Sequence, residues 1–170
     1  MKKLSKEEIK TIAVVGIGVI VLIGAIVAGK RIFQFLGLAK SAPEKQAEKQ
    51  QEKVIEKTTD EIKQKEQKGE KPSYADAQYI RTAEVIHKNT YTTAISDNDN
   101  AAITELLRYT PKDVDYLKIV QAYGSRVHYA FGIPLDARTL PELISQEFDS
   151  AEKERINYNF KARGMKTRVS

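Results

Sequence analysis

Residues 97–124 read DNDNAAITELLRYTPKDVDYLKIVQAYG, two helix starts and two helix stops in succession. Asp97-Asn98-Asp99-Asn100 is a turn and N-cap cluster, because short carboxylate and amide side chains accept from the amides of a first helical turn. Ile103, Leu106 and Leu107 then share one face at helical spacing. Thr110-Pro111-Lys112-Asp113 predicts a second start, with Thr as cap, Pro at the first helical position and an acid at the third. Val114, Leu117 and Val120 line that helix, and Gly124 ends it.

The same punctuation continues on both sides. Upstream, Pro72-Ser73 with Asp76 three residues on is a capping-box-like start, followed by Tyr79, Ile80, Ala83 and Ile86 at helical spacing. Downstream, residues 125–138 form a looser segment containing Phe131-Gly132-Ile133-Pro134. Thr139 then starts a helix carrying Leu140, Leu143, Ile144 and Phe148. Asp149 with Glu152 caps a last helix, which carries Ile156 and Phe160 and stops at Gly164. No strand of convincing length is evident. Residues 72–170 are therefore expected to form a small all-α domain of five short helices.

Within that domain, residues 97–164 resemble a single annexin-type repeat. The resemblance is carried by DNDNAAITELLRYT, DVDYLKIVQAYGSR, TLPELISQEF and INYNFKARGM. Degenerate one-repeat versions occur in bacterial and bacteriophage proteins. Annexins coordinate calcium with carbonyls of a Gly-x-Gly-Thr loop and a distant acid. The matching loop here, Ile95-Ser96-Asp97-Asn98, has no glycine and is less free to turn its carbonyls inward. The resemblance places a candidate calcium set at Asp97, Asp99 and Glu147. Helix N-capping explains the aspartates more simply, and no cofactor is expected.

Ahead of the domain, residues 41–71 are almost purely Glu, Lys and Gln. Glu44, Glu48, Glu52 and Glu56 repeat every four residues, as do Lys45, Lys49, Lys53 and Lys57, so the two rows lie side by side on a helix. Pro43 suits its first turn and Gly69 its end. Ala47, Val54 or Ile55, and Ile62 make only a thin apolar seam. The segment reads as a solvated helical spacer of about 25 residues, or as disorder.

Residues 11–29, TIAVVGIGVIVLIGAIVAG, carry no charge. At about 1.5 Å per residue this run extends roughly 28 Å, close to the hydrocarbon thickness of a bilayer. A helix there satisfies its own backbone, so the run is expected to span a membrane, with an apolar-basic continuation to residue 38. A cleaved signal peptide shares the charged start of residues 1–10, but its apolar core is shorter and Lys30-Arg31 follow directly. A buried core helix would show a polar face. Lys10, Lys30 and Arg31 flank the run, and Gly24, Ala25, Ala28 and Gly29 set small residues one turn apart, a spacing suited to self-association in lipid. Counting Lys and Arg on each flank leans slightly toward a cytoplasmic N-terminus and an external C-terminal domain.

Charge placement supports that reading. The chain of 170 residues has net charge +5 and no cysteine. Residues 1–40 hold seven basic residues against Glu7 and Glu8, whereas 41–71 and 72–170 each balance to zero. The excess sits beside the apolar run, where lipid headgroups would meet it, so nucleic acid is not an expected partner. With no cysteine there is no disulfide, thiolate nucleophile or thiolate metal site. His87, on the first helix of the domain, and His128, in the loop, stand at no metal spacing. No phosphate loop or nucleophile elbow is present, and an enzyme is not expected. Lys161, Arg163, Lys166 and Arg168 read as a solvated basic end.

The expected protein is a single-pass membrane-anchored adaptor whose helical domain binds another protein, with a phage virion or envelope component joining membrane to shell as one setting. A spanin-like lysis protein and a lipid-binding annexin-like module are the alternatives.

Overall fold

The structure is a computed structural model that describes residues 41–90, 99–130 and 133–170. The expected membrane span, its flanks Lys10, Lys30 and Arg31, its small residues Gly24, Ala25, Ala28 and Gly29, and Asp97 all lie outside the described residues. Among the described residues no helix is long and apolar enough to cross a membrane.

Residues 41–170 form one compact unit. Its elements run α1 (Ala42–Gln67), α2 (Asp76–Thr90), α3 (Asp99–Arg108), α4 (Asp113–Tyr123), β1 (Ser125–Ala130), β2 (Ile133–Thr139), α5 (Leu140–Glu147) and α6 (Ser150–Ala162). The unit is mostly helical, as the punctuation predicts. Three helices start at capping boxes, Ser41 with Glu44, Thr139 with Glu142 and Asp149 with Glu152, of which the sequence predicts the last as a pair and Thr139 as a start. Gly69, Gly124 and Gly164 take positive φ beyond the ends of α1, α4 and α6, the backbone conformation that ends a helix and suits a residue without Cβ.

One core runs through the helices after α1. Tyr79, Ala83 and Ile86 from α2 meet Ile103, Leu106 and Leu107 from α3, Ile119 and Tyr123 from α4, Leu140, Leu143 and Ile144 from α5, and Ile156 and Phe160 from α6. Met165 and Val169 of the C-terminal tail close it. Asn157 holds that tail through a reciprocal pair of hydrogen bonds to the Val169 backbone, at 2.8 and 2.9 Å. The tail from 165 onward is thus part of the packed unit rather than a free basic end.

Three expectations need correction. First, the loose segment 125–138 is a two-stranded antiparallel hairpin, so the unit is not all-α. The alternation is short and Pro134 interrupts it, which hides the strand in the sequence. The ladder tolerates that proline beside an irregularity. His128 faces Asp136 while Tyr129 faces Pro134, leaving Leu135 as the extra residue of a bulge.

Second, α4 begins at Asp113 with Lys112 as N-cap residue, not at Thr110. The Lys112 amide donates to Asp115 Oδ2 at 3.1 Å, so an acid inside the helix caps it. Thr110 instead turns back and donates to Leu106 O at 2.8 Å. Likewise α2 starts at Asp76, and Ser73 is held by Asp115 rather than by the helix it precedes.

Third, the charged helix forms over 42–67 but does not stand apart in water. It packs against α4 and both strands. It runs antiparallel to α4: Lys65 Nζ meets Asp113 Oδ2 at 2.9 Å, Gln121 Nε2 donates to Thr59 Oγ1 at 2.8 Å, and the Ser125 amide donates to Gln51 Oε1 at 2.6 Å. Ser125 Oγ adds a bond to Gln50 Oε1 at 2.7 Å. The apolar share is small. Ile62 packs with Val114 and Leu117, Val54 touches the main core, and Thr58 is buried between them.

Candidate functional site

The site-bearing features cluster around α4. Its first turn carries two buried carboxylates that act as hubs. Asp113 accepts from the Thr167 hydroxyl at 2.7 Å, the Thr167 amide at 2.9 Å, the Lys166 amide at 3.0 Å and the Lys65 ammonium. Burial alone would push its carboxyl up. These donors outweigh burial and hold it well below the usual carboxylate range. Lys65 mirrors this: burial would lower it, but Asp113 and Glu70 raise it. Asp115 binds the Ser73 amide and hydroxyl at 2.7 and 2.9 Å and accepts from the Tyr79 hydroxyl. Both hubs are filled by this chain's own donors. They join α1, the segment before α2 and the C-terminal tail to one end of α4.

The other end of α4 carries a second polar cluster. Tyr123 closes the helix, and its hydroxyl lies 3.3 Å from His87 Nδ1 of α2 and 3.2 Å from His128 Nε2 of β1. The two imidazoles stand edge to face with centroids 5.3 Å apart. They are the only histidines in the chain. Tyr123 is 1 % exposed and His128 4 %. Burial, Arg126 and His128 push His87 down to about 3. Burial and Arg138 lower His128, against the pull of Asp136 and the Thr90 backbone. Burial raises the Tyr123 phenol. The cluster therefore rests as two neutral imidazoles on one neutral phenol.

Of the candidate calcium residues, Asp99 and Glu147 are described and Asp97 is not. Glu147 ends α5 and pairs with Arg138 of β2, whose Nε also holds Asp136 Oδ2 at 2.7 Å. Asp99 is the first residue of α3. Among the described residues no group of three or more His, Asp or Glu is placed to hold a metal ion.

The hairpin supplies the exposed apolar surface. Ile133 is 64 % exposed and Leu135 49 %, and among the described residues Tyr74 and Tyr158 are the other exposed large apolar side chains. Spacing identified none of the α4 clusters. His87 and His128 lie 41 positions apart, and no local pattern links residues so distant.

No protein-family model, curated protein or solved structure matches this chain.

Proposed function

We propose that this chain is a single-pass membrane-anchored adaptor whose unit 41–170 binds a protein partner, in a setting such as a virion or envelope where a membrane is joined to a shell. The observation that carries the reading is the uncharged run 11–29 with the chain's whole basic excess placed around it. The exposed Ile133 and Leu135 supply an apolar contact surface on a unit whose charged residues otherwise balance. The annexin-type resemblance is carried by residue spacing alone and supports a binding role without calcium. A spanin-like rod fits less well, because α1 is bound along α4 and the hairpin instead of reaching outward.

The test is fractionation of cells expressing the full-length chain, followed by cross-linking of the detergent extract. The chain is expected to stay in the membrane pellet through high-salt and alkaline washes. Ile133→Asp with Leu135→Asp is expected to remove the main cross-linked product while leaving membrane retention intact. Recovery of the chain in the aqueous fraction overturns the anchor. Calcium-dependent binding to anionic vesicles would favour the lipid-binding reading instead.

A further inference from the structure

The hairpin, like α1 against which it packs, is attached to the core helices with little apolar burial. No residue of β1 or β2 belongs to the main apolar core, and Ala137 is the only described hydrophobic side chain of the hairpin that is fully buried. Its deepest polar tie is His128, which reaches the Tyr123 hydroxyl, on which His87 of α2 also converges. A phenol carries one proton and two lone pairs, and a neutral imidazole one N–H and one bare nitrogen. Two neutral rings on one hydroxyl can therefore be satisfied together, one donating to the oxygen and the other accepting from it. Added protons replace the bare nitrogens with donors, and the phenol proton loses its acceptor among the rings.

The surroundings oppose such charge. Arg126 of β1 lies over the Tyr123 ring, 5.1 Å from its centroid, and donates to the Tyr123 carbonyl at 3.1 Å. Arg138 of β2 faces His128 and Tyr123. Asp136, across the ladder from His128, favours charge there and keeps one buried oxygen without a hydrogen bond, but burial and Arg138 outweigh it. Asp136 and Glu147 hold Arg138, and Glu84 of α2 acts on Arg126. Imidazolium ions at 5.3 Å separation would repel each other and the nearby Arg126 and Arg138, with His128 buried and His87 half-buried.

We infer that His87, Tyr123 and His128 form an acid-released latch, which holds the β1–β2 hairpin against the ends of α2 and α4 at neutral pH and lets it detach, ahead of the helical core, when the histidines take up protons. The sign follows from linkage. Both rings have lowered proton affinity in the latched state, so the latch is complete above the ordinary histidine range near 6.5 and weakens as pH falls below it. Each histidine costs the latched form about tenfold in its population ratio per pH unit on that limb. Local release is favoured because the hairpin contributes little to the apolar core that holds the helices together.

Hydrogen exchange of the full-length chain in detergent micelles tests this, with rates corrected for intrinsic pH dependence. Between pH 7.5 and 5.5, amides of 126–130 and 133–139 are expected to lose roughly ten- to a hundredfold in protection, while α3 to α6 keep theirs. His87→Gln with His128→Gln is expected to remove that pH dependence. Should the double variant fail to fold, the imidazole Cε1–H signals of the wild-type chain decide. Titration of either ring near pH 6.5 while the hairpin stays protected overturns the latch, and so does parallel loss of protection in hairpin and helices.

Discussion

α1 and α4 lie side by side, antiparallel, yet they are held by opposite means. α4 is buried along most of its length, and it contributes Tyr116, Ile119, Val120 and Tyr123 to the main core. α1 is more than twice as long, but only Thr58 and Ile62 are buried. Its attachment comes mainly from side-chain hydrogen bonds at intervals along its length: Gln50 and Gln51 to Ser125, Thr59 to Gln121, and Lys65 to Asp113. A polar helix need not be a solvated one. Amides and ammonium groups spaced to meet a neighbour's backbone and carboxylates can dock a helix whose apolar seam is too thin to do so.

The contrast predicts a graded series of losses. Phe160 is fully buried in the same core as α4 and packs edge-on against Tyr116 with centroids 5.5 Å apart. Phe160→Ala is expected to cost about 3–5 kcal/mol of global stability, read as a shift in the urea midpoint. A loss as small as those at surface sites would show that the core extends less far than the packing implies.

Asp113→Asn comes next, at about 2–3 kcal/mol, because the amide cannot replace a carboxylate that accepts from four donors across α1 and the tail. Its pH signature is separate from that of the histidines. The wild-type carboxyl is held below its unfolded value, so its contribution is present above about pH 4 and is lost as pH falls below that. The variant should lack this part of the acid limb in urea titrations, and an unchanged limb would remove Asp113 as the hub. Limited proteolysis should show cleavage within 42–67 before the core helices are cut, since α1 loses its ion pair to α4.

The smallest effect is expected at the exposed face of α1. Lys57 and Glu61 approach at 4.0 Å with both side chains largely in water. Lys57→Ala should change stability by no more than about 0.5 kcal/mol, because solvent screening leaves little net gain in an exposed i,i+4 pair. A loss comparable to that of Asp113→Asn would mean that the charged rows, rather than the hubs, hold this helix in place.

Much of the helical framework was readable from residue types a few positions apart. Ser41 with Glu44, Thr139 with Glu142 and Asp149 with Glu152 close their helices through reciprocal contacts three residues apart. Gly124 shows where local reading stops. Its role as a helix terminator is visible in the sequence, but its second role is not. A Cβ there would strike the Gln51 side-chain amide, so the same glycine leaves room for the Gln51–Ser125 hydrogen bond. The hairpin escaped notice because Pro134 and a bulge break its alternation, and the ion pair of Glu147 with Arg138, nine residues earlier, was not legible either.

Helix positions and the apolar faces of α2 to α6 follow from the chain's own order, because a helix is built from contacts at i+3 and i+4 and any short window contains them, whereas Ser73 and Thr110, which read as caps, bond elsewhere. Which polar side chains meet is a different kind of fact. Ser125 finds Gln51 across 74 positions and His128 joins His87 across 41, and the partners of Asp113 come from both ends of the unit. Those pairings depend on how packed helices and a bent hairpin bring distant backbone together, and burial then sets the charge each group can carry.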